Sequence, residues 1–377
     1  MSSLYLHIPF CCRKCPYCDF YSQVGSQQQL DEYVDLLCDH LQLLSKQHPQ
    51  PAELATIFFG GGTPSVLSAT QIGRILELLH NSFGIAGNAE ISLEANPGTL
   101  NAEKLGGYLS AGINRLSLGV QSLQDEQLQQ LGRVHSAEQA RAAVTLARAA
   151  GFGNLSLDLM FSLPGQNCPA LEKELRELLD LQPEHLSLYG LSFETGTEFA
   201  ARLQAGELQP VDEEESAAQY RLVHHRLLEA GFEHYEISNF ARPGFRCRHN
   251  QVYWQRRGCL AAGCGGHSFD DTDYGCRWSV PNDLDHYRQQ LMRGENPAEL
   301  LESFDRRGAM TETIYLALRT SDGLSRADFK ERFGDYPEII YSQAFSKLRG
   351  RLHLNHDHWR FDLAGWLLYD HLISEFF

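Results

Sequence analysis

Leu4-Tyr5-Leu6-His7-Ile8-Pro9-Phe10-Cys11-Cys12-Arg13-Lys14-Cys15-Pro16-Tyr17-Cys18 opens the chain with a short apolar run that leads straight into a cysteine loop. Leu4–Ile8 reads as a strand. Cys11, Cys15 and Cys18 are spaced C-x-x-x-C-x-x-C, and so short a loop holds its three sulfurs as neighbours. A [4Fe–4S] cube coordinated wholly by protein takes four cysteines, so three thiolates leave one iron open for a non-protein ligand. A zinc site and a disulfide framework are the alternatives. Zinc usually takes four ligands, commonly as two separated pairs, and the chain has no C-x-x-C outside this loop. Cys12, inside the triplet, and Cys38, in a helical stretch, read as non-ligands.

Thr56–Phe59 reads as a second buried strand, and it runs into Gly60-Gly61-Gly62-Thr63-Pro64-Ser65. Glycines at a strand end put no Cβ between the backbone and a ligand. A tight strand-to-helix turn is the plain structural reading. Cysteine loop and glycine turn together resemble the radical S-adenosylmethionine (SAM) superfamily. That resemblance implies an open iron chelated by the methionine amino and carboxylate groups of SAM, with the glycine turn binding the amino end.

Strand and helix patterns alternate through the first two-thirds of the chain. Further strands are expected at Glu90–Glu94, Arg115–Val120, Leu155–Phe161 and His185–Leu191. Between the first two strands, Tyr33, Leu36, Leu37, His40, Leu41 and Leu44 share one face of an amphipathic helix. Six such units predict an α/β fold whose parallel sheet is closed, or partly closed, by crossover helices. The resemblance narrows this to the partial (β/α)6 barrel of radical SAM proteins, spanning 1–230. Sites of α/β barrels gather at the C-terminal strand ends. The cysteine loop, the glycine turn, Glu94-Ala95-Asn96-Pro97, Gly119-Val120-Gln121-Ser122, Asp158-Leu159-Met160-Phe161 and Ser192-Phe193-Glu194 all fall there.

Beyond Phe232 the pattern changes. A short strand is expected over Tyr235–Phe240, then a loop with His249-Asn250-Gln251-Val252-Tyr253-Trp254, then a glycine-rich stretch, Gly263–Ser268. These form an extension over 231–304. Helices around Thr311–Arg319, Arg326–Phe333 and Glu338–Arg349, followed by a hairpin near Arg351–Asp362, resemble a winged helix in a domain over 305–377. That region carries ten Lys/Arg against eleven Asp/Glu, which suits a lid or a protein contact better than DNA.

The whole chain has 377 residues and a formal charge of −16, which argues against nucleic acid as a main partner. No apolar run has the length of a membrane span. With the first strand starting almost at Met1, no signal peptide is expected, and ten cysteines then point to a reducing cytoplasm.

Tyr5–Cys11, Cys18-Asp19-Phe20, Gly112–Ser117, Gly132-Arg133-Val134-His135 and Asp158-Leu159-Met160 resemble the oxygen-independent coproporphyrinogen III oxidase group. Within it the chain resembles the HemW family of heme chaperones, whose marker H-N-x-x-Y-W is present as His249–Trp254. The resemblance implies that Tyr5 packs near cluster and SAM and that Tyr17 makes a backbone contact to adenine. Gly61, Gly62 and Thr63 would hold the methionine end, and Glu94 its ammonium group. Gln121, Arg133 and Asp158 would surround ribose and carboxylate, Arg133 offering a bidentate fork. Ser192 matches another adenosine contact, although a serine at a strand end is usually structural.

His249 is expected to ligate heme iron, since imidazole is the commonest axial ligand in globins and peroxidases. Cys247 and Cys264 are alternative ligands. His353, His356 and His358 read as a solvated hairpin tip rather than a chelate. Two functions compete: a heme carrier that serves acceptors such as respiratory enzymes, pairing with a second copy, and an oxidase that decarboxylates coproporphyrinogen III. True oxidases of the group carry a cysteine where this chain has Phe20, and an N-terminal extension ahead of the first strand. Both differences favour the carrier. A radical SAM enzyme on another substrate is a third reading.

Overall fold

Leu4, Leu6 and Ile8 are wholly buried beneath the outer helices, while Tyr5 and His7 alternate to the opposite face. This period of two is what a strand between a helical layer and a barrel interior requires. In the computed structural model, which describes residues 1–48 and 53–377, six strands repeat it. They are β1 (Ser3–Ile8), β2 (Leu54–Gly61), β3 (Ile85–Ala95), β4 (Arg115–Gln121), β5 (Leu155–Phe161) and β6 (His185–Gly190). All six lie side by side in chain order and run parallel. The principal crossover helices are α1 (Gln27–Gln47), α2 (Ala69–Ser82), α3 (Ala102–Ala111), α4 (Ala137–Ala150) and α5 (Cys168–Asp180); α6 (Glu213–Glu229) follows β6.

The helix starts are written into the sequence. Ser26 with Gln29, Ser68 with Gln71 and Ser136 with Gln139 form reciprocal capping boxes that satisfy the first free N–H groups of α1, α2 and α4. On α1 the expected face is buried at Tyr33, Leu37, His40, Leu41 and Leu44, with Leu36 only partly covered. Truncating a wholly buried member such as Leu41 to alanine costs about 2–5 kcal/mol.

The rest of the sheet departs from the sequence expectation in two places. The single strand expected over Tyr235–Phe240 is a hairpin of β7 (Glu233–Glu236) and β8 (Asn239–Ala241), with β8 antiparallel to β6. Glu236 Oε1 causes the reversal, accepting from the Ser238 backbone N–H at 3.0 Å and from the Asn239 amide. The glycine-rich stretch is preceded by β9 (Leu260–Ala262), which adds a parallel strand beside β1. Three residues are too few to show an alternation, so β9 left no readable signal.

The marker segment forms a short helix, α7 (Arg248–Trp254). A separate three-stranded sheet joins His267–Asp270, Cys276–Ser279 and Glu299–Ser303. The C-terminal region is winged-helix-like. Helices Arg306–Ala317 and Arg326–Phe333 precede a hairpin of Leu352–Asn355 with His358–Phe361, whose turn holds His356 at φ +53°. His353 Nε2 lies 3.5 Å from Asp362 on that hairpin.

Candidate functional site

The inward positions of the strands are unusually polar. Glu90, Ser92 and Glu94 alternate on β3, Arg115 and Ser117 on β4, Ser156 and Asp158 on β5, and His185 and Ser187 on β6. Burying so many polar groups is stable only when they satisfy one another. Ser117 Oγ donates to both Asp158 carboxylate oxygens at 3.1 and 3.3 Å, and Ser156 shares its hydroxyl with His185 Nδ1 at 2.8 Å.

At the C-terminal strand ends this column opens into a cavity of about 450 Å³. Tyr17 and Cys18 of the cysteine loop line it, as do Gly61, Gly62 and Thr63 at the end of β2. Glu94 on β3, Gln121 on β4, Asp158 on β5 and Ser192 after β6 close the wall, with Arg133 from the following loop. Ten of the expected site residues thus face one space of ligand size. Tyr5, His249, Cys11 and Cys15 lie outside its lining.

The cysteine loop is clamped from three sides. Phe10–Cys11 pairs with Gln23–Val24 across its base. The Phe199 backbone N–H donates to the Pro16 carbonyl at 3.0 Å. Gly132, at φ +66°, packs so closely that a Cβ there would meet Pro16 at 2.6 Å. That approach delivers Arg133, whose Nη1 lies 3.5 Å from Cys15 Sγ while Nη2 donates to the Gly119 carbonyl at 2.8 Å. Thr63 Oγ1 donates to Cys11 Sγ at 3.3 Å. His135, bonded to Asn96 Oδ1 and the Val120 carbonyl at 3.1 Å each, pins the same turn to β4.

These residues fit a cluster and SAM. Among the described residues no three His, Cys, Asp or Glu side chains converge as ligands of one ion do. A cube accepting one sulfur at each of three corners needs thiolates spread wider than a single ion does, and it benefits from hydrogen-bond donors at the sulfurs. Thr63 and Arg133 are such donors. Arg133 Nε is buried without a partner, an orphan donor beside the cavity. Burial, with the nearby Asp158, pushes the Glu94 carboxyl up to about 8. A positive group bound there would relieve that cost. Gln121 sits at φ +62°, a strained backbone of the kind that clusters at ligand sites.

The glycine turn also has a packing cause. A Cβ at Gly60 would meet the Tyr5 ring at 2.8 Å, at Gly61 the His7 ring at 2.7 Å, and at Gly62 the Phe10 carbonyl at 2.7 Å. The glycines therefore let β2 press against β1 and the root of the cysteine loop. The Gly61 N–H donates to Glu94 at 3.3 Å, fixing that carboxylate.

His249 lies at the other end of the column. Helix α7 covers the N-terminal strand ends, with the His249 N–H donating to Glu90 at 3.0 Å. The ring is buried and stacked on Phe58, centroids 5.2 Å apart, with Tyr5 at 6.4 Å. Nδ1 shares a hydrogen bond with Thr56 Oγ1 and Nε2 with Tyr253 OH, both at 2.9 Å. Burial and Arg115 hold its pKa down to about 3. Neither nitrogen is free, and Cys247 and Cys264 are also wholly buried. Sequence reading missed Arg115, Ser117 and Tyr189, which faces Asp158 and the cavity. The signal available was the polar residue at every second position of β3 to β6.

A partly closed parallel barrel with a three-cysteine loop and a ligand-sized cavity at its C-terminal mouth defines a radical SAM protein. The Radical SAM superfamily model matches residues 5–181, and the HemN C-terminal domain model matches 304–368. Coproporphyrinogen III oxidase (HemN) from Escherichia coli superposes over 99% of this chain and 89% of its own, with a TM-score of 0.84 at 23% identity, which establishes the shared fold. The chain is 35% identical to the heme chaperone HemW of Bacillus subtilis over 94% of this chain and 93% of that protein. It is 42% identical to HemW of Haemophilus influenzae over 70% of this chain and 69% of that one. The chain belongs to the HemW family.

Proposed function

We propose that this protein is a heme carrier on a radical SAM scaffold, passing heme to acceptors such as respiratory enzymes. The observation that supports this best is the likeness, nearly end to end, to proteins described as heme chaperones. Phe20, standing where oxidases of the group carry a cysteine, is 63% exposed at the cavity wall and offers no ligand there.

Cys11, Cys15 and Cys18 would hold the [4Fe–4S] cluster, which supplies one-electron chemistry at an open iron. Glu94 would accept from the SAM amino group and Arg133 would take its carboxylate through the unpartnered Nε. Asp158 and Gln121 would receive the ribose, with Tyr17 and Ser192 toward the adenine and Gly61, Gly62 and Thr63 along the methionine. Tyr5, half-buried beneath them, carries the wall down to α7. His249 can reach iron only after α7 leaves the barrel floor, because both its nitrogens are engaged; its role as ligand belongs to such an opened state. We assign heme handling to 231–304 and the part of a lid or protein contact to 305–377, place the protein in a reducing cytoplasm, and expect pairing with a second copy. No helix among the described residues is long and apolar enough to cross a membrane.

The test against the oxidase reading is direct. Anaerobically reconstituted protein, given reductant, SAM and coproporphyrinogen III, is expected to yield no decarboxylated product while a true oxidase works alongside. Turnover comparable to that control would overturn the carrier.

A further inference from the structure

The cavity at the barrel mouth is not the largest in the molecule. A second one, of about 830 Å³, lies between the open side of the barrel and the C-terminal domain. Phe161, Leu188 and Gly190 at the ends of β5 and β6 form one wall, α6 another, and the segment from Ala364 to His371 the third. Gly190 lines both cavities, so the two spaces adjoin across β6.

Its chemistry is specific. Arg221, Arg319 and Arg351 face it from three different elements. Among the described residues none of the three guanidinium groups forms an ion pair or a hydrogen bond, and Arg319 Nε is buried without a partner. This is unexpected in a chain with 48 acidic and 32 basic side chains, where other arginines such as Arg246, Arg256 and Arg326 are paired with carboxylates. The Arg319 guanidinium is held between two aromatic rings, Trp254 at 5.0 Å and Tyr369 at 5.4 Å. Trp254 is the last residue of α7, so the marker segment braces a cation at the cavity rather than pointing its histidine there. The walls also present the buried rings of Tyr220 and Trp366, and the rim carries His371.

Acidic groups oppose this only in part. Glu213 and Asp370 line the same cavity, and Glu236 lies near enough to Arg319 to feel its charge. The lining thus sets three guanidinium groups, Arg319 held between rings and Arg221 and Arg351 exposed, against two exposed carboxylates, with Glu236 behind Arg319, in a partly apolar space. A flat macrocycle bearing two carboxylates matches that combination: rings against its faces, guanidinium forks for its acids, and an imidazole at the edge.

We propose that this second cavity is the resting site of a propionate-bearing tetrapyrrole, with Arg221 and Arg351 binding the carboxylates and His371 supplying the imidazole while α7 stays in place. The inference rests on the heme-carrier reading and adds the location to it. Arg221, Arg351 and His371 are exposed, so replacing them leaves the fold intact.

The experiment is an anaerobic hemin titration of cluster-reconstituted full-length protein. It compares wild type, the Arg221→Glu/Arg351→Glu double variant and His371→Ala, with circular dichroism as the folding control. Losing two charge-assisted contacts made by exposed side chains is expected to weaken binding about threefold to thirtyfold, and His371→Ala is expected to move the Soret band. A double variant that binds as tightly as wild type, with the His371→Ala spectrum unchanged, overturns the site while the carrier stands. If wild type itself binds no stoichiometric hemin, the carrier reading fails and takes this site with it.

Discussion

Arg133 Nη1 lies 3.5 Å from Cys15 Sγ while its Nη2 is anchored on the Gly119 carbonyl, so one guanidinium ties the cysteine loop to the end of β4. Nε points to neither and is unpaired. A lysine can replace the charge but not this three-way geometry. Arg133→Lys is therefore expected to assemble the cluster with normal iron content, yet to bind SAM about tenfold more weakly or worse. Equilibrium binding of SAM to reconstituted protein measures this; unchanged affinity removes Arg133 from the SAM site.

Glu94 predicts a pH dependence. Its carboxyl is raised from about 4.5 to about 8, first by burial and then by Asp158. The empty site therefore prefers the protonated form. The resulting stability is fully present below about 4.5 and is lost as pH rises through about 8. SAM, whose amino group would donate hydrogen bonds to the carboxylate, should bind more tightly as pH rises through the same range and release a proton when it binds near neutrality. Glu94→Gln should bind weakly with a flat profile between these limits. A wild-type profile equally flat would contradict the assignment.

The six strands and the mouth residues were legible because both signals are local. Apolar residues at every second position mark β1, β4, β5 and β6, and functional side chains fall at or just past their ends. What was not legible depends on packing between distant segments. Nothing near Gly61 announces that His7 needs the space, and nothing near His249 announces that Thr56, more than 190 residues earlier, completes its hydrogen bonds. The same holds for the arginine-lined cavity, whose cations come from α6, the end of helix Arg306–Ala317 and the approach to the hairpin. From the motif histidine alone a ligand could be inferred, but not that its ring packs into the barrel floor with both nitrogens engaged.

His249→Ala should first appear as a stability defect. It strands Thr56 Oγ1 and Tyr253 OH in a buried place and leaves a cavity against Phe58, a cost of about 2–4 kcal/mol. Because burial holds the native imidazole neutral, with its pKa down to about 3 against an ordinary 6.5, this contribution is present above 6.5 and is lost as pH falls toward 3. Denaturant unfolding at pH 7 and pH 5 measures both effects. A variant as stable as wild type would mean that α7 is not seated in the barrel.

The cysteines predict a selective result. Cys15→Ala should abolish the broad visible absorption of the reconstituted cluster, and Cys12→Ser, at an exposed cysteine that is not one of the three ligands, should keep it. Equal iron content in the two variants would sink the three-thiolate assignment.

Heme transfer tests the central claim most directly. Protein loaded with one equivalent of hemin is mixed with the apo form of a respiratory cytochrome, and the Soret band is followed at increasing acceptor concentration. A carrier that hands heme over within a complex gives a rate that rises with acceptor concentration. A rate independent of acceptor, equal to that of hemin released into buffer, would show that the protein holds heme without delivering it and would contradict the account.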